Sequence, residues 1–268
     1  RAIVPVTYPN VGYGYTQRPT AETVLFKNAT VWTSESNGIL TETDVLVKNG
    51  KILQIGKNIP AQGKVIDATG KHLTAGIIDE HSHIALKSVN EGGQNSTAEV
   101  RMSDVVDSKH MGIYRDLAGG VTSAQLLHGS ANPIGGQSAI IKMKWGAPAE
   151  EMIYSNSPKY IKFALGENVK QSNWDSGGNR FPQSRMGVEQ VYYDAFVRAK
   201  EYEKAKTTFA SLTEKQKVKT GAEAPRVDLE LETLTQILNQ TRFISCHSYI
   251  QSEITMLMTV GDSMGFRV

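Results

Sequence analysis

The spacing of hydrophobic and polar residues changes rhythm twice along the chain. Residues 1–22 carry neither a helical nor a strand period. Tyr8-Pro9-Asn10, Gly12-Tyr13-Gly14-Tyr15 and Arg18-Pro19-Thr20 break both, so an irregular N-terminal arm is expected. From Val24 onward, short β-type runs follow one another: Val24-Leu25-Phe26, Thr30 to Thr33, Asp44 to Lys48, Lys51 to Gly56 and Lys64 to Asp67. Asn49-Gly50 between two of these runs predicts a type I′ hairpin, because both central residues must take positive φ. Residues 23–75 are thus expected to form a small β-rich domain.

Beyond residue 75 the rhythm becomes strand then helix. Gly76-Ile77-Ile78-Asp79 is a short apolar strand ending near His81-Ser82-His83. Ser103 to Ala118 reads as a helix, with Val105, Val106, Met111, Tyr114 and Leu117 on its apolar face. Further strands are predicted at Val121 to Leu127, Ser138 to Met143, Tyr160 to Leu165 and Phe243 to Cys246. Helices are predicted at 188–209, 228–239 and 252–264. Near-continuous apolar strands alternating with helices imply an α/β fold with a parallel sheet covered on both faces, here over residues 76–268.

Composition removes several function classes. Against 27 acidic residues stand 29 basic ones, a net charge of +2, which leaves no electrostatic footprint for nucleic acid. No apolar run approaches the ~20 residues of a membrane-spanning helix, so no membrane partner is expected. Cys246 is the sole cysteine, which excludes an internal disulfide and a Cys-rich zinc site. The chain opens at Arg1 without a leader; a removed signal peptide implies a periplasmic or secreted location, and a trimmed start a cytoplasmic one. The charged stretch Glu201 to Lys219 reads as a solvated helix face.

Candidate chemistry centres on His81 and His83. On a strand, positions i and i+2 face one way, so the two imidazoles can converge on a borderline metal such as zinc. By itself the pair reads equally as two surface or capping histidines. Its context is more specific. The run Ala68-Thr69-Gly70-Lys71-His72-Leu73-Thr74-Ala75-Gly76-Ile77-Ile78-Asp79-Glu80-His81-Ser82-His83 closely resembles the first-strand signature of the metal-dependent amidohydrolase superfamily. The likeness is strongest to its imidazolonepropionase-like branch and extends over nearly the whole chain. Ala75 stands where that family usually has proline.

The resemblance implies an α/β fold of the (β/α)8 TIM-like barrel type, with its first five strands in this chain and a small β-sandwich-type domain before them. It implies a divalent metal of zinc type, one or two ions, held by His81, His83, Lys162 and His247. Lys162, in Tyr160-Ile161-Lys162-Phe163-Ala164-Leu165, corresponds to a fourth-strand lysine that becomes an anionic bridge when its amine is carboxylated. Unmodified, it has donors only and cannot ligate in its charged form. A lysine paired with a carboxylate is the plain alternative, and Glu167 is then the rival anionic ligand. His247, in Phe243-Ile244-Ser245-Cys246-His247, supplies the third imidazole, with Cys246 turned to the helical layer.

The Gly-rich run His128-Gly129-Ser130-Ala131-Asn132-Pro133-Ile134-Gly135-Gly136-Gln137 joins two strands. Such loops line the mouth of a barrel, so His128, Asn132, Gln137 and Glu167 are candidates for substrate contact. A turn-rich connection without a ligand fits this run equally well. It lacks the Gly-Lys-Ser/Thr ending of a P-loop. His72 and His110 have no metal context and read as structural.

Two family residues have no counterpart here: a strand-six histidine and a strand-eight aspartate that serves as general base. No catalytic base is therefore assigned within the chain, and the C-terminal half of the same barrel is its expected partner. A homo-oligomer is compatible with this pattern. The implied reaction is hydrolysis of a C–N bond in a small cyclic or linear amide or peptide by metal-activated water. A non-catalytic truncated barrel that binds a partner through its open edge is the alternative.

Overall fold

The computed structural model describes residues 5–173 and 178–268; the first four residues of the expected arm lie outside them. A five-stranded sheet comes first. It comprises β1 (Val24–Trp32), β2 (Ile39–Lys48), β3 (Lys51–Gly56), β4 (Lys64–Asp67) and β5 (His72–Leu73), in the order β3-β2-β1-β4 with β5 also on β1. The hairpin expected at Asn49-Gly50 is present: Lys48 pairs with Lys51, and the two turn residues have φ of 53° and 71°. Both faces of the sheet are used. Ala29, Val31, Val45 and Ala68 pack on one side, and Leu25, Leu46 and Ile59 form a second cluster.

The rest of the chain alternates strands and helices: β6 (Ile77–Ser82), α1 (Met111–Ala118), β7 (Val121–Leu126), β8 (Ile134–Gln137), β9 (Ala139–Lys142), α2 (Ala149–Met152), β10 (Lys159–Ala164), α3 (Arg185–Ser211), α4 (Glu214–Thr220), α5 (Leu229–Leu238), β11 (Arg242–His247) and α6 (Gln251–Met264). They form two three-stranded sheets, β6-β7-β9 and β11-β10-β8. The expectation of an all-parallel sheet is corrected here. β6–β7 and β10–β11 are parallel, but β9 runs antiparallel to β7 and β8 antiparallel to β10. Only Ser138 separates β8 from β9, and its N–H donates to the Tyr160 carbonyl. One bent strand, Ile134 to Lys142, thereby passes from one sheet into the other.

Sequence periodicity missed this because β8, Ile134-Gly135-Gly136-Gln137, looks like a loop. Its glycines answer to packing. A Cβ on Gly135 would stand 2.7 Å from the His128 ring, and one on Gly136 would stand 2.7 Å from Val100. The helix expected over Ser103–Ala118 is shorter than its pattern suggested. It begins at Met111, after His110 caps it by accepting the Gly112 N–H at its Nδ1 (3.1 Å). His72 is structural too, accepting from Trp32 Nε1 at 2.9 Å. The arm is less irregular than its composition implied. Tyr8 and Tyr15 pair through their backbones, and Tyr13 stacks on Tyr114 while its carbonyl accepts from Trp145 Nε1.

Helices α3, α5 and α6 cover β10 and β11. Phe163 meets Tyr192 and Phe196, and Phe196 stacks on Phe266 at 4.1 Å. Tyr192 is fully buried, and its hydroxyl donates toward the carbonyls of Ala164 (2.7 Å) and Pro133 (2.9 Å). This bond ties the end of β10 to the turn before β8. On the other sheet, Ile113 of α1, Leu126, Ile141, Met152 and Trp145 share a core.

Asp44 holds the small sheet to its loops. Its carboxylate accepts from Lys27 Nζ (2.8 Å), Asn28 N (2.9 Å) and Ile59 N (3.0 Å). Burial opposes its charge, but the Lys27 ammonium and these two N–H groups outweigh it and hold the carboxyl below its ordinary 3.8. A depressed carboxyl pKa contributes stability above the unfolded value, lost as pH falls through the folded one. Asp44→Asn is expected to cost about 1–3 kcal/mol at pH 7. It should also flatten the wild-type loss of stability below about pH 5. Urea unfolding across pH checks both, and an Asp44→Asn curve superimposable on wild type at every pH would remove Asp44 from this role.

Candidate metal centre

Parallel strands deliver their C-terminal ends to one side, and that side carries the site. His81 lies within β6 and His83 follows it, and their rings meet edge to face with centroids 5.3 Å apart. Lys162 lies within β10, opposite Ser245 of β11, and His247 ends β11 opposite Ala164. Paired positions in a parallel ladder point the same way, so Lys162, Ser245 and His247 share a face. The sheets curve toward one another. Gln125 of β7 donates to Ser245 Oγ at 3.1 Å although β7 and β11 are not neighbours, and Lys162 Nζ stands 3.4 Å from His81 Nε2.

Lys162 decides what this site can hold. It is 1% exposed, and its closest polar partner is an imidazole nitrogen. Among the described residues the plain alternative, a lysine neutralised by a carboxylate, is therefore not found. Burial pushes the amine below its ordinary 10.5, toward the neutral form. A neutral amine can take up carbon dioxide and become an anionic oxygen donor. Burial, together with the positive charge of Lys162, also lowers the imidazoles of His81 and His247, which favours free lone pairs. Among the described residues no three His, Cys, Asp or Glu side chains converge tightly enough to hold a cation by themselves. A divalent ion held here would need Lys162 as well as the imidazoles, and a carboxylated Lys162 beside them would have the chemistry to hold one.

The loop after β7 orients two of the imidazoles. Nδ1 of His83 lies 2.8 Å from the Leu127 carbonyl, and Nδ1 of His247 lies 2.6 Å from Ser130 Oγ. A carbonyl only accepts, so His83 carries a proton on Nδ1 and presents Nε2 to the site.

The expected substrate contacts fare differently. His128 is buried, its Nε2 accepts from Glu91 N (2.6 Å), and its Nδ1–H donates to the Gly129 carbonyl (2.8 Å). Asn132 is equally buried, and its Nδ2 donates toward Glu91 O, Gln94 O and Thr97 Oγ1. These two side chains brace the loop from behind, because both His128 ring nitrogens and Asn132 Nδ2 are bonded to backbone and Thr97; only Asn132 Oδ1 is left without a partner among the described residues. Gln137 lies toward the opposite end of the strands. It pairs with Ile161, donates to Ala98 O and Thr233 Oγ1, and accepts from Arg242 Nη2, which removes it from the mouth. Glu167 sits in the turn after β10 with its carboxylate on Lys170 (2.6 Å) and Arg185 (2.7 Å), so its role as rival metal ligand is opposed by two cations.

Sequence reasoning missed Ser130, Gln125, Arg180 and Tyr249. Tyr249 lies against His247 (centroids 5.6 Å apart), and its hydroxyl accepts the Glu167 N–H at 2.9 Å. Gly166 makes room for it: at φ +80°, a Cβ there would fall 2.7 Å from the hydroxyl oxygen. Arg180 donates to the carbonyls of Gln94, Ala131 and Val169, clamping the loops that follow β6, β7 and β10. Cys246 turns to the helical core as expected, and burial pushes its thiol up to about 12. Only the spacing to His247 and the Gly166 turn hinted at Tyr249; nothing local marked the others.

No protein-family model matches the chain. An amidohydrolase (tasK) of Hapsidospora irregularis is 28% identical over 91% of this chain and 28% of its own length. A dihydroorotase of Streptococcus thermophilus is 30% identical over 71% of this chain and 42% of its own. The solved amidohydrolase of Thermotoga maritima is 33% identical with a TM-score of 0.78, over 91% of this chain and 63% of that one. The chain thus spans less than two thirds of the length of each. Relatives named for one chemistry and a solved structure alike in fold over nine-tenths of the chain converge on one assignment: this chain belongs to the amidohydrolase superfamily.

Proposed function

We propose that this chain provides the metal-binding part of a hydrolase that cleaves C–N bonds in cyclic or linear amides. The observation that carries the reading is the meeting of His81 and His83 with a buried lysine that has no carboxylate partner among the described residues and lies 3.4 Å from His81 Nε2. In this reading the two three-stranded sheets are one wall of a (β/α)8 barrel, and the five-stranded sheet is a small domain preceding it.

His81 and His83 supply imidazole nitrogens, His247 a third, and Lys162 an oxygen after carboxylation. In that step the neutral amine attacks carbon dioxide, an N–C bond forms as one C=O π bond breaks onto oxygen, and one proton passes from the nitrogen to solvent. One or two zinc-type ions held there would supply Lewis acidity for polarising a carbonyl and acidifying water. Asp79 accepts the His81 backbone N–H through its side chain, so it serves the strand rather than the water. The proton-accepting aspartate of the resemblance is assigned outside this chain's site. Similarity to a dihydroorotase favours a cyclic amide over a linear amide or a small peptide.

A second reading has one observation in its favour. Ile77 and Ile78 on the edge strand β6 are 57% and 71% exposed, which suits a module that binds through that edge.

Elemental analysis separates the two readings. Wild-type protein is expected to hold one or two zinc-like ions per chain, and His81→Ala/His83→Ala to hold none while keeping its circular dichroism. A folded wild type that takes up no zinc in the presence of bicarbonate would favour the binding module. Lys162→Gln is expected to lower the ion count and to abolish any bicarbonate dependence of zinc uptake. Equal counts in Lys162→Gln and wild type would restrict the site to its histidines.

A further inference from the structure

The two imidazoles steered by the loop after β7 are held in different ways. His83 Nδ1 faces the Leu127 carbonyl, an obligate acceptor, so its tautomer is set by the backbone. His247 Nδ1 faces Ser130 Oγ at 2.6 Å, and a hydroxyl can donate or accept. Two features decide between these. The backbone around Ser130 is pinned on both sides: His128 is bonded to Glu91 N and Gly129 O, and the Ala131 carbonyl accepts from Arg180 Nη2. The hydroxyl is therefore delivered to one place. The Lys162 amine, which shares a face of the sheet with the His247 ring, carries N–H donors in either protonation state, so a ring nitrogen turned to the same interior serves better as an acceptor than as a further donor.

We propose that Ser130 is a positioning residue. Its Oγ accepts the Nδ1–H of His247 and so presents Nε2 of that ring to the centre formed by His81, His83 and Lys162. The free histidine side chain prefers the opposite tautomer, with the proton on Nε2, so the protein selects the minor form. Leu127 and Ser130 thereby act as one unit. Three residues apart on a single braced loop, they set the tautomers of rings carried by β6 and β11. A hydrogen bond to the far nitrogen of a ligating imidazole fixes its orientation and raises its basicity, and its loss typically weakens metal affinity about 10–100-fold. This purpose rests on the metal-centre reading, but the tautomer itself does not.

Long-range ¹H–¹⁵N spectra of the imidazoles in zinc-free protein at neutral pH test the assignment. His83 and His247 should both appear as Nδ1–H forms. Ser130→Ala should move His247 toward the Nε2–H form and leave His83 unchanged, and Ser130→Thr should restore the wild-type pattern. Zinc affinity should fall about 10–100-fold in Ser130→Ala and recover in Ser130→Thr. A wild-type His247 in the Nε2–H form, or a Ser130→Ala spectrum identical to wild type, overturns the proposal. So does an affinity loss that threonine fails to repair. A wild type that binds no zinc refutes the metal reading, and the tautomer spectra then still decide the role of Ser130.

Discussion

An amine cannot sit charged and unpaired inside a protein without heavy cost. Lys162 is buried on β10, has no carboxylate beside it among the described residues, and stands against the imidazole of His81. Much of the surrounding architecture follows from that constraint. Burial biases the amine toward its neutral form, and a neutral or modified amine suits a site built from lone pairs rather than from opposing charges. The same desolvation keeps His81 and His247 toward their unprotonated forms. A single burial thus acts on two of the imidazoles expected to serve with it.

Holding such a site open requires a rigid surround, and the chain supplies it with polar groups turned away from the centre. Tyr192 ties the end of β10 to the turn before β8 from the helical side. His128 and Asn132 bind the loops after β6 and β7 together, and Arg180 adds the loop after β10. These side chains share a pattern: conspicuous polar residues near a site are spent on backbone atoms. Preorganisation of this kind leaves some atoms unpaired among the described residues, Asn132 Oδ1 and Arg180 Nε included, but it spares any bound group the cost of ordering the loops.

Hydrophobic packing sets the frame around this polar centre. Phe163, Phe196, Tyr192 and Phe266 fill the space between β10 and its helices. A smaller core around Ile113, Leu126 and Ile141 seats β6 and β7. The bend at Ser138 lets one strand serve both sheets, so the two cores are joined by backbone hydrogen bonds and the rings of β6 reach the amine of β10. An antiparallel strand does this where a βαβ crossover would need a helix in between.

Local physics made much of this legible in the sequence. Asn49-Gly50 demanded a hairpin because few other residues tolerate two successive positive φ angles, and strand alternation fixed that His81 and His83 share a side and that Cys246 turns from His247. The motif around His81, and the strands bearing Lys162 and His247, were readable because their signals lie within a few consecutive residues. Tertiary structure alone decided the rest. Whether Lys162 meets a carboxylate or an imidazole depends on chain 81 residues away. That Gly135-Gly136 is a strand and not a loop depends on the ring of His128 lying against it. His128 and Gln137 look alike as candidates in the sequence, yet one braces the loop beside the site and the other lies toward the far end of the strands. No local pattern separates them, because what distinguishes a ligand from a brace is which atoms satisfy its hydrogen bonds, and those atoms come from elsewhere in the chain.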